Sequence, residues 1–100
     1  MNKTELIAAV AMAAGTSNRD AEGVLNCFRD IVQASVYGGD DVSYPGLGKF
    51  SRAQRKARTA RNPRTGATLQ VPASRVPRFA AAAEFKRVVN GETAAPRLTH

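Results

Sequence analysis

Apolar side chains recur at intervals of three and four residues through the first part of the chain, which predicts two amphipathic helices. Asn2 opens the first helix, over 3–14, as the first residue of a capping box, and Gly15 ends it. Ser17 opens the second helix, which runs to about Tyr37, through a second capping box. Only a few residues join the two helices, so they are expected to form an antiparallel hairpin.

Beyond residue 41, apolar and polar side chains alternate, and this period of two predicts β-strands. A short strand at 42–44 precedes a glycine-containing turn and then a long hairpin over 49–76, which we term the arm. A turn at Asn62-Pro63 reverses the arm, and Pro72 is expected at an edge or a bulge.

The pattern ends in a helix from about Ala80 to Val89, and the whole describes one α+β domain. We expect this domain to cover 1–90, with a helical base and the first strand in 1–44. The remaining residues, 91–100, contain a proline and are expected to form a disordered tail.

The arm has too little apolar surface to pack against a core. After Phe50, neither face of its first strand, which runs to about Arg61, carries a large apolar side chain. About twelve residues of strand reach ~40 Å, whereas a compact domain of this length has a radius of gyration of ~13 Å. The arm is therefore expected to project from the rest of the molecule, which we term the body.

Charge divides the chain into two unlike halves. Residues 1–50 hold four Lys and Arg against six Asp and Glu, whereas residues 51–100 hold eleven against two. The net charge of +7 is therefore concentrated in the second half, around the arm. A basic patch of this kind is typical of a nucleic-acid surface, and the alternative is a solvated face of arginines without a partner.

The residue types argue against enzyme chemistry, and no cofactor or metal is expected. The only histidine is the last residue, and the acidic residues fit helix caps and solvated faces better than a catalytic pair. The single cysteine, Cys27, excludes an intrachain disulfide framework and a cysteine-based zinc cluster. It lies beside the apolar seam of the second helix, where it is expected to pack as a small hydrophobe.

No apolar run is long enough to span a membrane, so no membrane contact is expected. The alanine-rich start imitates a secretory signal, but Lys3 is countered by Glu5 and alanine is only weakly apolar. We therefore expect the chain to remain in the cytoplasm.

Several stretches of the sequence resemble the HU and integration host factor family of bacterial DNA-bending proteins, and HU most of all. They are Asn2–Ile7, the Gly46-x-Gly48-x-Phe50 motif, the segment Arg58–Gly66 with its Arg-Asn-Pro-x-Thr-Gly tip, and 72–79. The resemblance extends over about 1–90. It implies an intertwined homodimer, or a heterodimer with a paralogue, with a helical hairpin, a short three-stranded antiparallel sheet, protruding β-arms and a short C-terminal helix.

The resemblance also implies a function, that of a nucleoid-associated, histone-like protein which bends or stabilises duplex DNA with little sequence preference. Two arms would embrace the minor groove, and Pro63 at each tip would wedge between base pairs. The alternative for Pro63 is an ordinary turn proline. The remaining residues expected at the DNA are Lys3, Arg52, Arg55, Lys56, Arg58, Arg61, Asn62, Arg64, Ser74, Arg75 and Lys86.

A single chain offers only a thin core, because its helices are rich in alanine and six residues in all are aromatic. A second copy would close this core better, so no stable folded monomer is expected at micromolar concentration. The candidates for the shared core are Leu25, Phe28, Ile31, Val32, Leu47, Phe50, Phe79 and Phe85.

Four positions depart from the family pattern. Leu47 stands where phenylalanine is common, and Ala60 replaces a common glycine near the tip of the arm. Ala80 and Ala83 stand where lysine is frequent, which puts contacts between the body and DNA phosphates in doubt, and Arg78 and Arg87 are the candidates to compensate.

Two other functions stay open on the sequence alone. A site-specific bender of the integration host factor type would leave no simple residue signature, because indirect readout acts through the shape of the DNA. A protein-interaction module with secondary nucleic-acid binding would use the body rather than the arm. RNA binding also stays open, because phosphate contacts do not distinguish RNA from DNA.

Overall fold

A computed structural model describes residues 1–97 and contains, within them, three helices and five strands. In chain order these are α1 (Lys3–Ala14), α2 (Asn18–Tyr37), β1 (Val42–Tyr44), β2 (Gly48–Arg55), β3 (Arg58–Arg61), β4 (Thr68–Val71), β5 (Ser74–Ala81) and α3 (Ala83–Val89). The predicted α+β class is confirmed, with the helical hairpin first, the strands after it and a short helix last.

Local capping interactions set the bounds of the two long helices, as predicted. The Asn2 side chain accepts a hydrogen bond from the Glu5 N–H at 2.9 Å and begins α1. The Ser17 hydroxyl accepts one from the Asp20 N–H at 3.1 Å and begins α2. Gly15 ends α1 with a φ of 72°, a left-handed conformation that glycine adopts without strain.

Strands β1, β2 and β5 form an antiparallel sheet in the order β1-β2-β5, which confirms the predicted three-stranded sheet. Gly48, at the start of β2, allows the close approach of β5. A Cβ on Gly48 would lie 2.5 Å from the Ala80 carbonyl oxygen and 2.7 Å from the Phe79 ring. The Phe50 ring centroid lies 4.9 Å from that of Phe79 in a tilted contact and 6.4 Å from that of Phe28 in an edge-on contact, so aromatic rings join the sheet to α2.

The predicted start of the last helix at Ala80 is wrong, because β5 continues through Ala81 and α3 begins at Ala83. Pairing of Gly48 with Ala81 and of Lys49 with Ala80 holds both alanines in the sheet. The high helix propensity of alanine is thus overridden by strand pairing with a distant segment.

The arm is a hairpin in two parts rather than one continuous ladder. The β2–β5 pairing ends at Arg55 and Ser74, and the β3–β4 pairing begins at Arg58 and Val71. Pro72 lies in the gap and has no N–H to donate, which explains the break at this point. The radius of gyration, 19.0 Å, far exceeds the ~13 Å of a compact chain of this length, in line with the predicted projection of the arm.

The single chain buries very little apolar surface. Among the described residues, the buried hydrophobic side chains are those of Ala11 in α1 and Ala21 in α2, two helices that pack against each other. No helix among residues 1–97 has the length and hydropathy needed to cross a membrane. Residues 91–97 form no helix or strand, and 98–100 of the predicted tail lie outside the described residues, so its disorder stays a prediction.

Candidate nucleic-acid interface

The arm carries cations and no acidic residue at all. Its Lys and Arg side chains are Lys49, Arg52, Arg55, Lys56, Arg58, Arg61, Arg64 and Arg75. All eight residues are exposed, and β3 and β4 pair mainly with each other, so no other layer of the described chain covers the outer part of the ribbon. An all-positive ribbon that stands clear of the body is suited to a polyanion.

Hydrogen bonds organise the tip of the arm around Pro63. The Asn62 side chain reaches across the proline and accepts a hydrogen bond from the Arg64 N–H at 2.9 Å. The Thr65 hydroxyl accepts one from the Ala67 N–H at 3.2 Å, and Gly66 closes the turn with a φ of 70°. Asn62 therefore acts in the turn itself, and the exposed Pro63 ring is held at the outer end of the ribbon.

The register of β2 against β5 divides the predicted contact residues between two faces of the ribbon. Arg55 lies directly opposite Ser74, so these two predicted DNA contacts share one face. Arg75 lies opposite Gln54 on the other face, together with Arg52. The sequence prediction grouped these side chains without distinguishing the faces.

A second division occurs in the outer part of the arm. Arg58 lies opposite Val71 and shares its face with the pair of Ala60 and Leu69. Arg61 lies opposite Thr68 on the polar face. Each face of the outer ribbon therefore presents one arginine, one beside an aliphatic strip and one among hydroxyl and amide groups.

Arg52 has a partner that the sequence gave no means of finding. Its guanidinium donates a hydrogen bond to the Tyr37 carbonyl oxygen at 3.0 Å, at the C-terminal end of α2. This position lets the cation satisfy a terminal carbonyl and interact favourably with the helix dipole. Arg52 stays a predicted DNA contact, but its guanidinium already joins the root of the arm to the body.

The body residues predicted to meet phosphates lie in mixed surroundings. The Lys3 ammonium is 3.4 Å from a Glu22 carboxylate oxygen. Lys49, at the root of the arm, is 3.7 Å from Asp41. Lys86 lies in the last turn of α3, a helix whose first turn contains Glu84.

None of the eight residues proposed for a shared core is buried within the single chain. Ile31 is 60% exposed, Phe79 46%, and Phe28 and Leu47 37% each. The other four, Leu25, Val32, Phe50 and Phe85, are half-buried. Cys27 is exposed on the same part of α2, so its predicted packing is not achieved inside one chain.

A cleft of about 370 Å³ separates α2 from the sheet near the root of the arm. Its wall is mainly aliphatic and aromatic, with contributions from Val32, Val36, Phe50, Val76 and Pro77, and the predicted DNA contacts Arg52 and Arg75 also line it. Within residues 1–97, no group of three or more His, Cys, Asp or Glu side chains is placed to hold a metal ion. The cleft is therefore an apolar surface and holds no cluster of catalytic or metal-binding groups.

Comparisons with known proteins point in the same direction. The family model described as bacterial DNA-binding protein matches residues 1–90. DNA-binding protein HRm of Rhizobium meliloti is 42% identical over 90 residues, which cover 90% of this chain and 100% of that protein. DNA-binding protein HU 1 of Streptomyces coelicolor is 41% identical over 93 residues, covering 92% and 100%.

Solved structures extend the comparison to three dimensions. A cocrystal structure of Anabaena HU with DNA superimposes with a TM-score of 0.83 at 40% identity, covering 96% of this chain and 100% of that chain. A mutant HU of Thermotoga maritima superimposes with a TM-score of 0.64 at 26% identity, covering 89% and 99%.

Proposed function

The chain belongs to the family of bacterial DNA-binding proteins that includes HU, and from this membership we propose that it is an architectural protein that binds duplex DNA through its arm. The observation that carries the proposal is the eight-cation, acid-free arm that ends in the ordered Pro63 turn. Binding would release counterions from the phosphates and would therefore weaken steeply with salt. This mechanism needs no sequence readout, which favours binding with little sequence preference.

The arm is suited to the minor groove in its chemistry as well as its charge. Arginine guanidinium groups are attracted to a narrow, electronegative groove, and residues Arg55, Arg58, Arg61 and Arg64 follow the ribbon to its tip. The aliphatic pair Ala60 and Leu69 gives the outer ribbon an apolar strip for the sugars that line the groove. A DNA duplex is favoured over double-stranded RNA because the minor groove of A-form RNA is wide and shallow and lacks the narrow shape that attracts arginine.

We assign the wedge role to Pro63. The ring lacks an N–H, so it can enter a base step without leaving a donor unsatisfied. The 2.9 Å hydrogen bond from Arg64 to Asn62 holds the turn in shape while the ring remains exposed. Insertion would unstack one step and bend the duplex, at a cost that the contacts of the arms with the bent groove offset.

The working unit would be a dimer with two arms. Phe28, Ile31, Leu47 and Phe79 leave more apolar surface exposed than a stable single domain of this size can tolerate. A second copy placed against α2 and the sheet would cover this surface and the apolar cleft beside it. A homodimer is the simplest form, and a paralogue with the same apolar face could take the second position.

The proposed role requires no catalytic group and no cofactor, so we regard the protein as a non-enzymatic, histone-like component of the nucleoid in the cytoplasm. It would condense or stabilise bent DNA by occupancy alone. The interaction-module alternative has no support from the described residues beyond the apolar surface, which a second copy accounts for.

A gel-shift comparison of Pro63→Ala with wild type tests this function. The probes are an intact duplex and the same duplex with a central two-nucleotide gap. We expect wild type to prefer the gapped probe, and Pro63→Ala to reduce that preference severalfold, because the wedge no longer acts on the base step. Pro96→Ala removes another exposed proline, far from the arm, and should match wild type.

Two outcomes would contradict the proposal. Binding that does not weaken with salt would exclude the cationic arm as the source of affinity. An unchanged gap preference in Pro63→Ala would return Pro63 to the status of a turn residue and leave the arm as a general basic coat.

A further inference from the structure

The net charge of this protein lies wholly on the arm. The arm holds eight Lys and Arg and no acid, whereas the body holds all eight acidic residues of the chain against seven cations. The body cations are Lys3, Arg19, Arg29, Arg78, Lys86, Arg87 and Arg97. The body is therefore slightly acidic by count, and the excess of +7 belongs to the ribbon alone.

Ion pairs add to this separation of charge between the arm and the body. Lys3 lies 3.4 Å from Glu22, and Arg29 lies 3.0 Å from Asp30. At the root of the arm, the body holds Lys49 through Asp41 and Arg52 through the Tyr37 carbonyl. Arg55, Arg75 and the four cations nearer the tip have no ion pair with any residue in the described range 1–97.

We propose that the outer arm is the entire electrostatic DNA-binding surface and that the body, for lack of net positive charge, does not wrap the flanking duplex. This inference rests on the proposed function and specifies the ligand, a short stretch of duplex that the arms alone can span. The expected body contacts at Lys3 and Lys86 are not part of this surface. The six cations that form it are Arg55, Lys56, Arg58, Arg61, Arg64 and Arg75.

The physical reason is the short range of electrostatic attraction in salt. Charges act over about 8 Å at physiological ionic strength, so the arm cannot draw distant flanks onto the body. Flanks that meet a near-neutral surface release no net counterions and add nothing to the salt dependence. Bending an intact flank then costs free energy that no body contact offsets.

The test measures the salt dependence of binding as a function of flank length. One probe has a central gap with about 10 base pairs on each side, roughly the ~40 Å reach of an arm at ~3.4 Å per pair. The second has about 30 base pairs on each side. The first shifted band in a gel, at limiting protein, gives the affinity of the first protein unit to bind at each salt concentration.

The salt slope is the slope of the logarithm of the binding constant against the logarithm of the salt concentration. We expect wild type to give the same slope on both probes, to within about one unit. The steepest slope that the twelve arm cations of a dimer can give is about −11. We compare slopes rather than affinities because a long probe offers more overlapping binding sites. These sites raise the apparent affinity but do not change how steeply it depends on salt. A slope steeper by several units on the long probe would overturn the inference.

A double variant, Ala80→Lys with Ala83→Lys, tests the stated cause. Both alanines are exposed on the body, and the change adds four cations to a dimer. We expect this variant to gain up to about four units of slope on the long probe only, with melting temperature as the check on folding. If the double variant has the same salt slope as wild type on the long probe, lack of charge is not the reason that the body does not bind the flanks.

The inference and the proposed function fail in distinguishable ways. Absence of salt-dependent binding to the short gapped probe would remove the proposed function itself. Normal binding to the short probe with a much steeper slope on the long probe would leave that function in place and remove only the arm-restricted surface.

Discussion

The arm and the body of this chain differ in the kind of surface that each leaves exposed. The body collects most of the apolar side chains and every acidic residue, yet it leaves Ile31 60% exposed and Phe28 and Phe79 partly uncovered. The arm has little apolar surface and concentrates cations on a ribbon whose outer part no other layer supports. On the proposed function, the body is completed by a second copy of the chain and the arm by duplex DNA, so the two regions need different partners.

The largest expected effect comes from placing a charge in the apolar surface of the body. Ile31→Asp should abolish the cooperative fold at micromolar concentration, because a carboxylate would be buried without a partner when the second copy binds, at a cost of several kcal/mol. Sedimentation velocity and urea unfolding measure the loss. Wild type should melt at a temperature that rises with protein concentration.

Arg29→Asp provides the matched control for this substitution. It adds the same side chain to α2 at an exposed site and removes only a surface ion pair with Asp30, so we expect a change of about 1 kcal/mol or less. Equal damage from both variants would mean that α2 tolerates no additional acid, and it would remove the argument for an apolar interface at Ile31.

The second effect, on the arm, should leave the fold intact. A triple replacement by glutamine at Arg58, Arg61 and Arg64 removes six cations from a dimer. The salt slope should become shallower by about five units, and the affinity should fall by at least about 10²-fold. A triple replacement in the body, at Arg19, Arg29 and Arg87, removes the same charge. We expect it to alter the slope by less than about one unit, and a larger change would end the contrast between the two regions.

The smallest effect defines where the arm begins. Arg52→Gln loses the hydrogen bond to the Tyr37 carbonyl and should cost about 1 kcal/mol of stability, or ~4–8 °C in melting temperature. Its effect on the salt slope should be slight. Arg55→Gln, three residues further along, should do the reverse and lower the slope by about two in a dimer without altering the melting temperature. Identical behaviour of the two variants would contradict this boundary.

Features that depend on neighbouring residues were predictable from the sequence. The Asn2 and Ser17 caps, the left-handed Gly15 and the proline turn at Pro63 are each built from residues within about four positions of one another. The excess of cations around the arm required only counting. These predictions hold because helix capping and turn formation involve local hydrogen bonds that few tertiary contacts can displace.

Features that depend on distant partners were predicted less well. Ala80 and Ala81 were assigned to the last helix, yet pairing with Lys49 and Gly48 keeps them in β5 despite the helix propensity of alanine. The predicted hairpin is divided where Pro72 interrupts it, a position that the sequence marked only as an edge or a bulge. Arg52 was placed with the other arm cations, since nothing local identifies a carbonyl fifteen residues away as its partner.

The sequence by itself determined the two long helices, the turn chemistry and the charge of the arm, because each follows from residue type and short spacing. Only the tertiary structure decided which face of the ribbon carries Arg55 or Arg75, and that Arg52 faces the end of α2. It also decided how much of Ile31 and Phe79 one chain leaves exposed. Register and exposure depend on contacts between segments far apart in sequence, and a pattern read along the chain does not contain those distances.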